Sequence, residues 1–498
     1  MVISKQHALL GVVLILGLFL YFPNLGNIYL WQDEAQTALI SQTVLQHGIP
    51  KGTDGRNFFS QELGAEYGEN YTYRWHTWLP FYVVAAVFKL FGSSTYTARL
   101  PFAIFGLGCV FLTYFFSRRL FNSERTAALG TLVLLFSIPF ILLSRQCRYY
   151  SMAAFFSVLT AFGYLQLLAG KKRGALLYFV AATLLFHTFY IYVATLIAAL
   201  TVHLALFHRH RWKPFLVATL AILVFNGPWI IWLAGMNYAE QYGSVAFALG
   251  PSLERLSGFA QDIFRYFFPP YLLLIPVLVL AYERLYKKKA FRLENEWLAA
   301  ISLPVFFIGS TVIALTLTAP DSFIRYLAPL IPFCAILVGA VFAHAMQIHK
   351  VMGLVLVAVL IYLSPIRDYL YELSHDYDGP IEGIATYLNE HADPDDVVAI
   401  TYGDMPLKFY TDLRIVGGLT GEDLAPAKSA DWVIIRRTVL GSKDAKVRNF
   451  LIKNIDARQY QRVEIDYPDL PFENRETPYE HRYRTVTNYP PVIIYKRK

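Results

Sequence analysis

Long apolar runs separated by short polar loops dominate this sequence from residue 8 to residue 364. A helix needs about 20 mainly apolar residues to cross the hydrocarbon core of a bilayer. The chain of 498 residues is 56% hydrophobic and only 16% charged, which excludes an ordinary soluble protein. The sequence therefore predicts eleven transmembrane helices, in the runs 8–22, 99–117, 124–143, 151–169, 174–189, 190–207, 214–233, 270–285, 296–317, 325–346 and 351–364.

Lysine and arginine concentrate in the loops between these runs, and cytoplasmic loops carry such an excess. The clusters are Arg118, Arg119 and Arg125; Lys171, Lys172 and Arg173; Arg209, Arg211 and Lys213; and Arg284, Lys287, Lys288, Lys289 and Arg292. The number of predicted crossings between consecutive clusters is even throughout. We therefore predict a cytoplasmic N-terminus and an exterior C-terminus. The net charge of +8 then needs no nucleic-acid partner.

Two apolar runs need separate treatment. Ala8–Phe22 follows Lys5 and does not end in a small-residue cleavage site, so we predict an uncleaved helix. Trp78–Leu90 is about 13 residues long, too short to span a bilayer. As a crossing it would also move every later basic loop outside. We predict that it is an interfacial or re-entrant helix in the first outer loop, residues 24–98.

Residues 365–498 have the composition of a soluble domain. "DDVVAITYG", "DWVIIRRT" and "PVIIYKR" are typical of strands, and "PIEGIATYLNEHA" is typical of an amphipathic helix. We predict a small extracytoplasmic α/β domain that follows a transmembrane domain of residues 1–364. Because it lacks a glycine-rich phosphate loop and a nucleophile elbow, a lid or docking module is favoured over a second active site.

Paired acids, Asp33 and Glu34, directly follow the first run in "YLWQDEAQTALISQTVLQHG". Acids at this position can simply favour the N-terminus of the following helix. A carboxylate at an apolar boundary can also serve as a general base. Cys109, Cys147 and Cys334 are too scattered for a zinc pattern, and structural disulfides are not expected.

Arginines on the predicted outer face contravene the orientation rule. Arg145 and Arg148 lie in "SRQCRYYSM", and Arg325 lies in "APDSFIRYLAPLIP". Charge near the hydrocarbon is costly without a partner, so an anion is expected to meet these side chains. The anion can be Asp33, Glu34, Asp321 or a lipid head group, or it can be a lipid-linked phosphate, which guanidinium groups bind bidentately.

The order of these motifs resembles the GT-C glycosyltransferases. The acid pair is followed by "WHTWLPFYVVAAVFKLFGSSTYTARLP", "RRLFNSERTAAL" and "SRQCRYYSM", and the resemblance extends over residues 8–350. It is nearest to the bacterial aminoarabinose-transferase and lipopolysaccharide-core-transferase branch, and more distant from the protein O-mannosyltransferases. The resemblance implies an inverting transfer of a sugar from a polyprenyl monophosphate carrier, on the outer face of the cytoplasmic membrane.

Roles for individual residues follow from the resemblance. Asp33 matches the catalytic base, Glu34 is its partner, and Arg99 matches the arginine that braces the pair. His76 lies where relatives place a Glu-Lys-Pro or His-Pro-Pro motif, but this chain has "RWHTWLP", so a divalent metal is left open. The residues expected to contact substrates are Arg99, Arg145, Arg148, Tyr149, Arg325, Tyr326, His76 and Asp321.

The expected partners are a polyprenyl-phosphate-linked sugar, membrane lipids and an acceptor that is a glycolipid, a polysaccharide or a protein. A flippase for an anionic lipid would place charged residues at mid-depth in the spans and broken helices in matched halves, and neither is evident. A non-catalytic scaffold with an outer sensory domain would not need arginines gathered on one face.

Overall fold

The computed structural model describes residues 5–234, 249–286, 295–348, 350–437, 441–470 and 481–498. The chain folds as two compact units. The helical unit comprises Met1–Pro23, Phe102–Arg145 and Tyr149–Ile366; the mixed unit comprises Asn24–Pro101, Gln146–Arg148 and Arg367–Lys498. The division into residues 1–364 and 365–498 stays a prediction.

Every predicted apolar run coincides with helix in the described part of the chain, because a helix satisfies its own backbone hydrogen bonds. The basic residues Lys287, Lys288, Lys289 and Arg292 lie outside the described residues. From the N-terminus the α-helices of the described residues are α1 (Lys5–Tyr21), α2 (Gln32–His47), α3 (Leu79–Phe91), α4 (Thr95–Phe121), α5 (Glu124–Leu135), α6 (Ile138–Ser144), α7 (Tyr150–Leu168), α8 (Lys172–Thr188), α9 (Tyr190–Phe207), α10 (Trp212–Ala234), α11 (Leu249–Asp262), α12 (Tyr271–Leu285), α13 (Asn295–Thr318), α14 (Ile331–Ile348), α15 (Met352–Leu363), α16 (Ile366–Glu372), α17 (Pro380–His391), α18 (Asp404–Tyr410) and α19 (Ser442–Asn454).

Six helices within the described residues are long and apolar enough to cross a membrane, or up to eight if each of two bent pairs is one span. The pair α5 and α6 bends by 62°. Pro139 in the first turn of α6 cannot continue the hydrogen bonding of α5, which accounts for the break. The predicted polytopic helical class is confirmed, whereas the count of eleven spans stays a prediction.

Helix α3 coincides with the short run predicted to lie at the interface. One face is buried through Phe81, Val84 and Phe88, whereas Leu90 and Phe91 are exposed. Its 13 residues leave it shorter than a span.

Small residues let helices of the helical unit approach closely. A side chain on Gly339 of α14 would collide with the backbone of Gly130 in α5. One on Gly163 of α7 would likewise collide with the backbone at Tyr178 of α8. Such contacts are typical of packing in bilayers, where association depends on close van der Waals fit.

The mixed unit contains a five-stranded sheet in the order β2-β1-β3-β5-β4. β1 pairs in parallel with β2 and β3, and β5 pairs antiparallel with β3 and β4. The strands are β1 (Val397–Ile400), β2 (Arg414–Gly417), β3 (Trp432–Ile434), β4 (Tyr460–Pro468) and β5 (Pro491–Arg497). The predicted α/β class, the three predicted strands and the predicted helix α17 are confirmed. β2 and β4 escaped prediction. Only Ile415 and Val416 are apolar in β2, whereas β1 and β3 are apolar throughout, and β4 is a half-exposed edge strand.

Within the mixed unit, the segment between α2 and α3 packs against the edge strand β2. The side chain of Asn57 donates to the carbonyl of Leu413 at 3.0 Å and accepts from the N–H of Ile415 at 2.9 Å. This amide completes the edge of β2, which satisfies backbone groups that would otherwise be buried without partners.

Candidate active site

The acid pair lies in the first turn of α2. Trp31 precedes the helix with extended backbone angles (φ −78°, ψ 174°), and its N–H donates to Glu34 Oε2 at 3.4 Å. The negative charge of an acid in the first turn is also stabilised by the positive end of the helix dipole. The helix ends at Gly48, which has a left-handed φ of 74°.

Glu34 is fully buried and its carboxylate is saturated with donors. Oε1 accepts from Arg99 Nε at 2.8 Å and from the Cys147 N–H at 2.5 Å. Oε2 accepts from Arg99 Nη2 at 2.7 Å, as well as from Trp31. A carboxylate held this way is fixed in place and has no lone pair directed at a substrate.

Arg99 is committed to the same cluster. Its Nη1 donates to the carbonyls of Leu25 and Ile28 at 3.1 and 2.7 Å, and Nη2 donates to the carbonyl of Tyr29 at 3.2 Å. With the two bonds to Glu34, these contacts use the five N–H groups of a guanidinium. Arg99 therefore braces α2 and the chain that leads into it.

Asp33 differs from its neighbour. Its side chain is 19% exposed, whereas that of Glu34 is 0% exposed. Arg148 Nη2 lies 3.6 Å from Asp33 Oδ2, and Arg148 Nη1 donates to the Asp33 carbonyl at 3.2 Å. Thr37, one turn further along α2, accepts from Arg148 Nη1 at 3.0 Å. An accessible carboxylate and a guanidinium thus lie side by side.

His76 is buried, with Nδ1 3.0 Å from the carbonyl of Thr77 and its ring against Tyr73 and Phe81. Burial, assisted by the charge of Arg148, lowers the pKa of His76 from 6.5 to about 3. The imidazole is therefore neutral at physiological pH.

Glu66 is a buried acid that sequence reasoning did not single out. It accepts from Ser60 Oγ at 2.8 Å, from the Gln61 N–H at 2.6 Å and from Gln36 Nε2 at 3.2 Å. Burial raises the pKa of Glu66, and the hydrogen bonds oppose that shift. Gln36 is three residues from Asp33 on α2, so Glu66 connects the outer loop to the same face of this helix.

The other predicted site residues belong to the helical unit. Arg145 Nη1 donates to the carbonyls of Tyr21 and Pro23 at 3.1 and 2.8 Å, at the end of α1. Tyr149 stacks on Phe189, with ring centroids 4.6 Å apart.

Arg325 also contacts aromatic rings of the helical unit. Its guanidinium lies 3.9 Å from the ring centroid of Phe323 and 5.6 Å from that of Tyr326. Asp321 is exposed and accepts from the N–H of Ser322 at 2.7 Å. The structure thus brings Asp33, Glu34, Arg99, Arg148 and His76 together in the mixed unit, and the substrate-binding roles of all the predicted residues stay predictions.

Two contacts in the site were missed from the sequence. Thr37 lies four residues after Asp33, a spacing that places both on one helix face, and this signal could have found it. The backbone N–H of Cys147 has no such signal. Across the described ranges, the His, Cys, Asp and Glu side chains form no group of three placed to hold a metal ion.

Known proteins share this architecture. Residues 75–232 match a family described as dolichyl-phosphate-mannose-protein mannosyltransferase. ArnT from Cupriavidus metallidurans bound to undecaprenyl phosphate aligns with 98% of this chain and 97% of its own, at 14% identity and a TM-score of 0.59. This chain has the GT-C fold. The resemblance predicted from the sequence is thereby confirmed.

A second solved structure gives the same result for the GT-C fold. The archaeal oligosaccharyltransferase AglB from Archaeoglobus fulgidus, in complex with an inhibitory peptide and a dolichol-phosphate, aligns with 87% of this chain and 70% of its own. The identity is 12% and the TM-score is 0.54. No curated protein sequence matches the chain. Both structures are at most 14% identical to this chain, and together they show the GT-C fold.

Proposed function

We propose that this protein is an inverting glycosyltransferase that moves a sugar from a polyprenyl monophosphate carrier to a hydroxyl acceptor. The observation that carries the proposal is the asymmetry of the acid pair. Glu34 is buried and saturated, whereas Asp33 is partly exposed and lies beside Arg148. Asp33 can thus act as a general base, and Arg148, which contacts Asp33 and Thr37 on one turn of α2, can bind the phosphate.

The chemistry follows from charge development. Asp33 accepts the proton of the acceptor hydroxyl as its oxygen attacks the anomeric carbon, on the face opposite the phosphate. The bond between that carbon and the phosphate oxygen breaks, and its electron pair leaves with the polyprenyl phosphate. Guanidinium N–H groups stabilise the charge that develops on this leaving group, so the leaving oxygen needs no proton donor.

Arg148 is the cation that we assign to the phosphate. Its guanidinium is held by Thr37 Oγ1 and by the Asp33 carbonyl, which fixes its position before substrate binds. Arg145, Arg325, Tyr149, Tyr326 and Asp321 are further proposed substrate contacts, and this rests on the resemblance. Arg99 is assigned to bracing, because its N–H groups are used within the protein.

The nature of the carrier is supported by the related structures. ArnT was solved with undecaprenyl phosphate and AglB with a dolichol-phosphate, both polyprenyl-type monophosphates. We propose the same class of carrier here. The acceptor is a glycolipid, a polysaccharide or a protein, with the active site and C-terminal domain on the outer face of the cytoplasmic membrane.

Mass spectrometry of cell-envelope glycans tests the proposal. A deletion strain should lack a sugar modification that the wild-type gene restores and that Asp33→Asn does not restore. Glu69→Gln, which changes an exposed acid in the same loop, is the matched control and should restore the modification fully. Equal restoration by Asp33→Asn would overturn the assignment of the base, and unchanged envelope glycans in the deletion strain would overturn the function.

A further inference from the structure

The chain that leads into the acid pair, residues 24–31, is held by residues 372–410 of the same unit. We name residues 24–31 the leader segment. The N–H of Tyr29 donates to Glu382 Oε1 at 2.7 Å, and Asn27 Nδ2 donates to the carbonyl of His375 at 2.9 Å. Asn24 Nδ2 donates to the carbonyl of Glu372 at 2.9 Å. The leader segment is thus fixed by a part of the chain more than 340 positions away.

Tyr410, the last residue of α18, makes the contact nearest to the acids. Its hydroxyl accepts from the N–H of Leu30 at 2.8 Å and lies 2.6 Å from Thr95 Oγ1. Its ring stacks on Tyr29, with centroids 3.8 Å apart. Thr95 begins α4, and Arg99 follows one turn later. The Tyr410 hydroxyl therefore contacts both the leader segment, which precedes the helix of Glu34, and the first residue of α4, the helix of Arg99.

A second contact reaches the first residue of α2. Gln32 Nε2 donates to Asp404 Oδ1 at 2.7 Å, and Lys408 Nζ donates to Asp404 Oδ2 at 3.0 Å and to the Phe58 carbonyl at 2.8 Å. The Asp404 and Lys408 side chains are 0% exposed. Gly418 lies so close to Asp404, at a left-handed φ of 62°, that a side chain there would collide with the carboxylate. Asp404 therefore has little freedom to move, and it fixes the residue directly before Asp33.

From these contacts we infer that α18 positions the acid pair for catalysis, with Tyr410, Asp404 and Lys408 as positioning residues. The inference rests on the proposed function, because it assigns to the C-terminal domain a role in that reaction. None of the three needs to contact a substrate: they act through the backbone of Leu30 and the side chain of Gln32. Displacing a reacting group by about 1 Å can cost 100-fold in rate, so small shifts of α2 would lower the rate of transfer.

The first test compares Tyr410→Phe with Tyr460→Phe. Tyr460 also buries a hydroxyl, which donates to the carbonyl of Ala430 at 2.6 Å within the same domain but has no contact with the leader segment. Tyr410→Phe loses hydrogen bonds to Leu30 and Thr95, whereas Tyr460→Phe loses one, so Tyr410→Phe should lose somewhat more thermal stability and the transfer rates are compared per folded molecule. Only Tyr410→Phe should lower the rate of transfer per folded molecule, by about 10-fold or more.

Hydrogen–deuterium exchange on the full chain in detergent gives a readout that needs no substrate. In Tyr410→Phe, peptides that cover residues 29–37 should exchange faster than in the wild type. In Tyr460→Phe their exchange should be unchanged. The positioning role would be overturned if these peptides exchanged at the wild-type rate in Tyr410→Phe, or if the two variants had equal transfer rates.

A reciprocal exchange tests the second contact. Gln32→Glu places two carboxylates together, and Asp404→Asn removes the charge partner of Lys408, so each should lower turnover by about 10-fold or more. The double variant restores one carboxylate, one amide and one ammonium, and should regain most of the turnover. No recovery in the double variant would contradict positioning by this cluster.

The outcomes separate the two proposals. If Asp33→Asn keeps full transfer, the proposed base is wrong whatever the α18 variants do. If Asp33→Asn abolishes transfer while Tyr410→Phe behaves as Tyr460→Phe does, the base stands and the positioning role fails. If no transfer is found at all, the exchange of residues 29–37 still decides whether α18 fixes the start of α2.

Discussion

Arg99 and Glu34 form a buried, two-point ion pair, with Nε 2.8 Å from Oε1 and Nη2 2.7 Å from Oε2. The two residues are 65 positions apart, and each belongs to the first turns of its helix, α4 and α2. Their pairing fixes the orientation of α2, which leaves the adjacent Asp33 directed toward accessible space. The chemistry proposed for Asp33 therefore depends on a neighbour that takes no direct part in it.

Removing one partner of this pair should be strongly destabilising. Arg99→Met leaves the Glu34 carboxylate buried without its guanidinium, which typically costs about 3–5 kcal/mol. Denaturant unfolding in detergent, followed by tryptophan fluorescence, measures the loss. Arg118→Met, which breaks an exposed pair with Glu124, should cost no more than about 1 kcal/mol. Equal losses in the two variants would contradict a structural role for the buried pair.

The two acids should respond differently to amide substitution. Asp33→Asn cannot accept a proton and should reduce transfer by about 10²–10⁴-fold, the scale for loss of a general base, with stability close to wild type. Glu34→Gln should lose transfer only partly but should also lose stability, because it weakens the pair with Arg99. Transfer assays and unfolding curves on the same preparations measure both effects. Asp33→Asn activity above about a tenth of wild type would exclude Asp33 as the base.

Arg148→Lys keeps the positive charge but loses the planar fork that suits phosphate. We expect a loss of transition-state stabilisation of about 2–4 kcal/mol, the scale for one donor aimed at developing charge. The catalytic efficiency for the lipid donor measures it, and thermal shifts with undecaprenyl phosphate measure binding of the carrier alone. The surface variant Arg118→Lys is the control. A normal catalytic efficiency and a normal thermal shift in Arg148→Lys would show that Arg148 has a purely structural role.

The membrane-embedded part of the fold could be predicted well from the sequence because hydropathy is a local property. Each apolar run became a helix at nearly the expected residues, as α7 (Tyr150–Leu168) shows for the run 151–169. The bend between α5 and α6 was not predicted, although Pro139 marks it. A continuous apolar run conceals a break when the residues on both sides are equally hydrophobic.

The site was only partly predictable. The acid pair was identified from its position directly after the first apolar run. Its pairing with Arg99 was expected only from the family resemblance, since no periodicity links residues 34 and 99. The contacts of Tyr410 and Asp404 with the start of α2 were not foreseen, because isolated polar contacts over some 370 positions leave no local pattern. Strand β2 was missed for a related reason: only two of its residues, Ile415 and Val416, are apolar, whereas the equally short β1 and the shorter β3 are apolar throughout.

The neutral state of His76 predicts a pH dependence of stability. The folded-state pKa of His76 is lowered to about 3, below the 6.5 of an unfolded chain, because burial disfavours the imidazolium. Its contribution to stability is therefore complete above pH 6.5 and decreases as the pH falls toward 3, by about 1.4 kcal/mol per pH unit. Unfolding curves at pH 7, 6 and 5 measure this slope. His76→Gln should flatten it, whereas His391→Gln, at an exposed position, should not.

Thiol labelling in spheroplasts tests the predicted orientation. Gly55 and Ala427 both lie in regions that are predicted to be outside, but Ala427 is only 1% exposed and Gly55 has a left-handed φ of 94°, so neither suits a cysteine. The exposed Ser429 replaces them, and the exposed Lys172 represents the basic loop 171–174. Cys109, Cys147 and Cys334 are buried, which keeps the background low.

An impermeant maleimide should label Ser429→Cys in intact spheroplasts and should label Lys172→Cys only after lysis. Labelling of Lys172→Cys from outside would reverse the orientation and place the acid pair on the cytoplasmic side, away from the proposed outer-face chemistry.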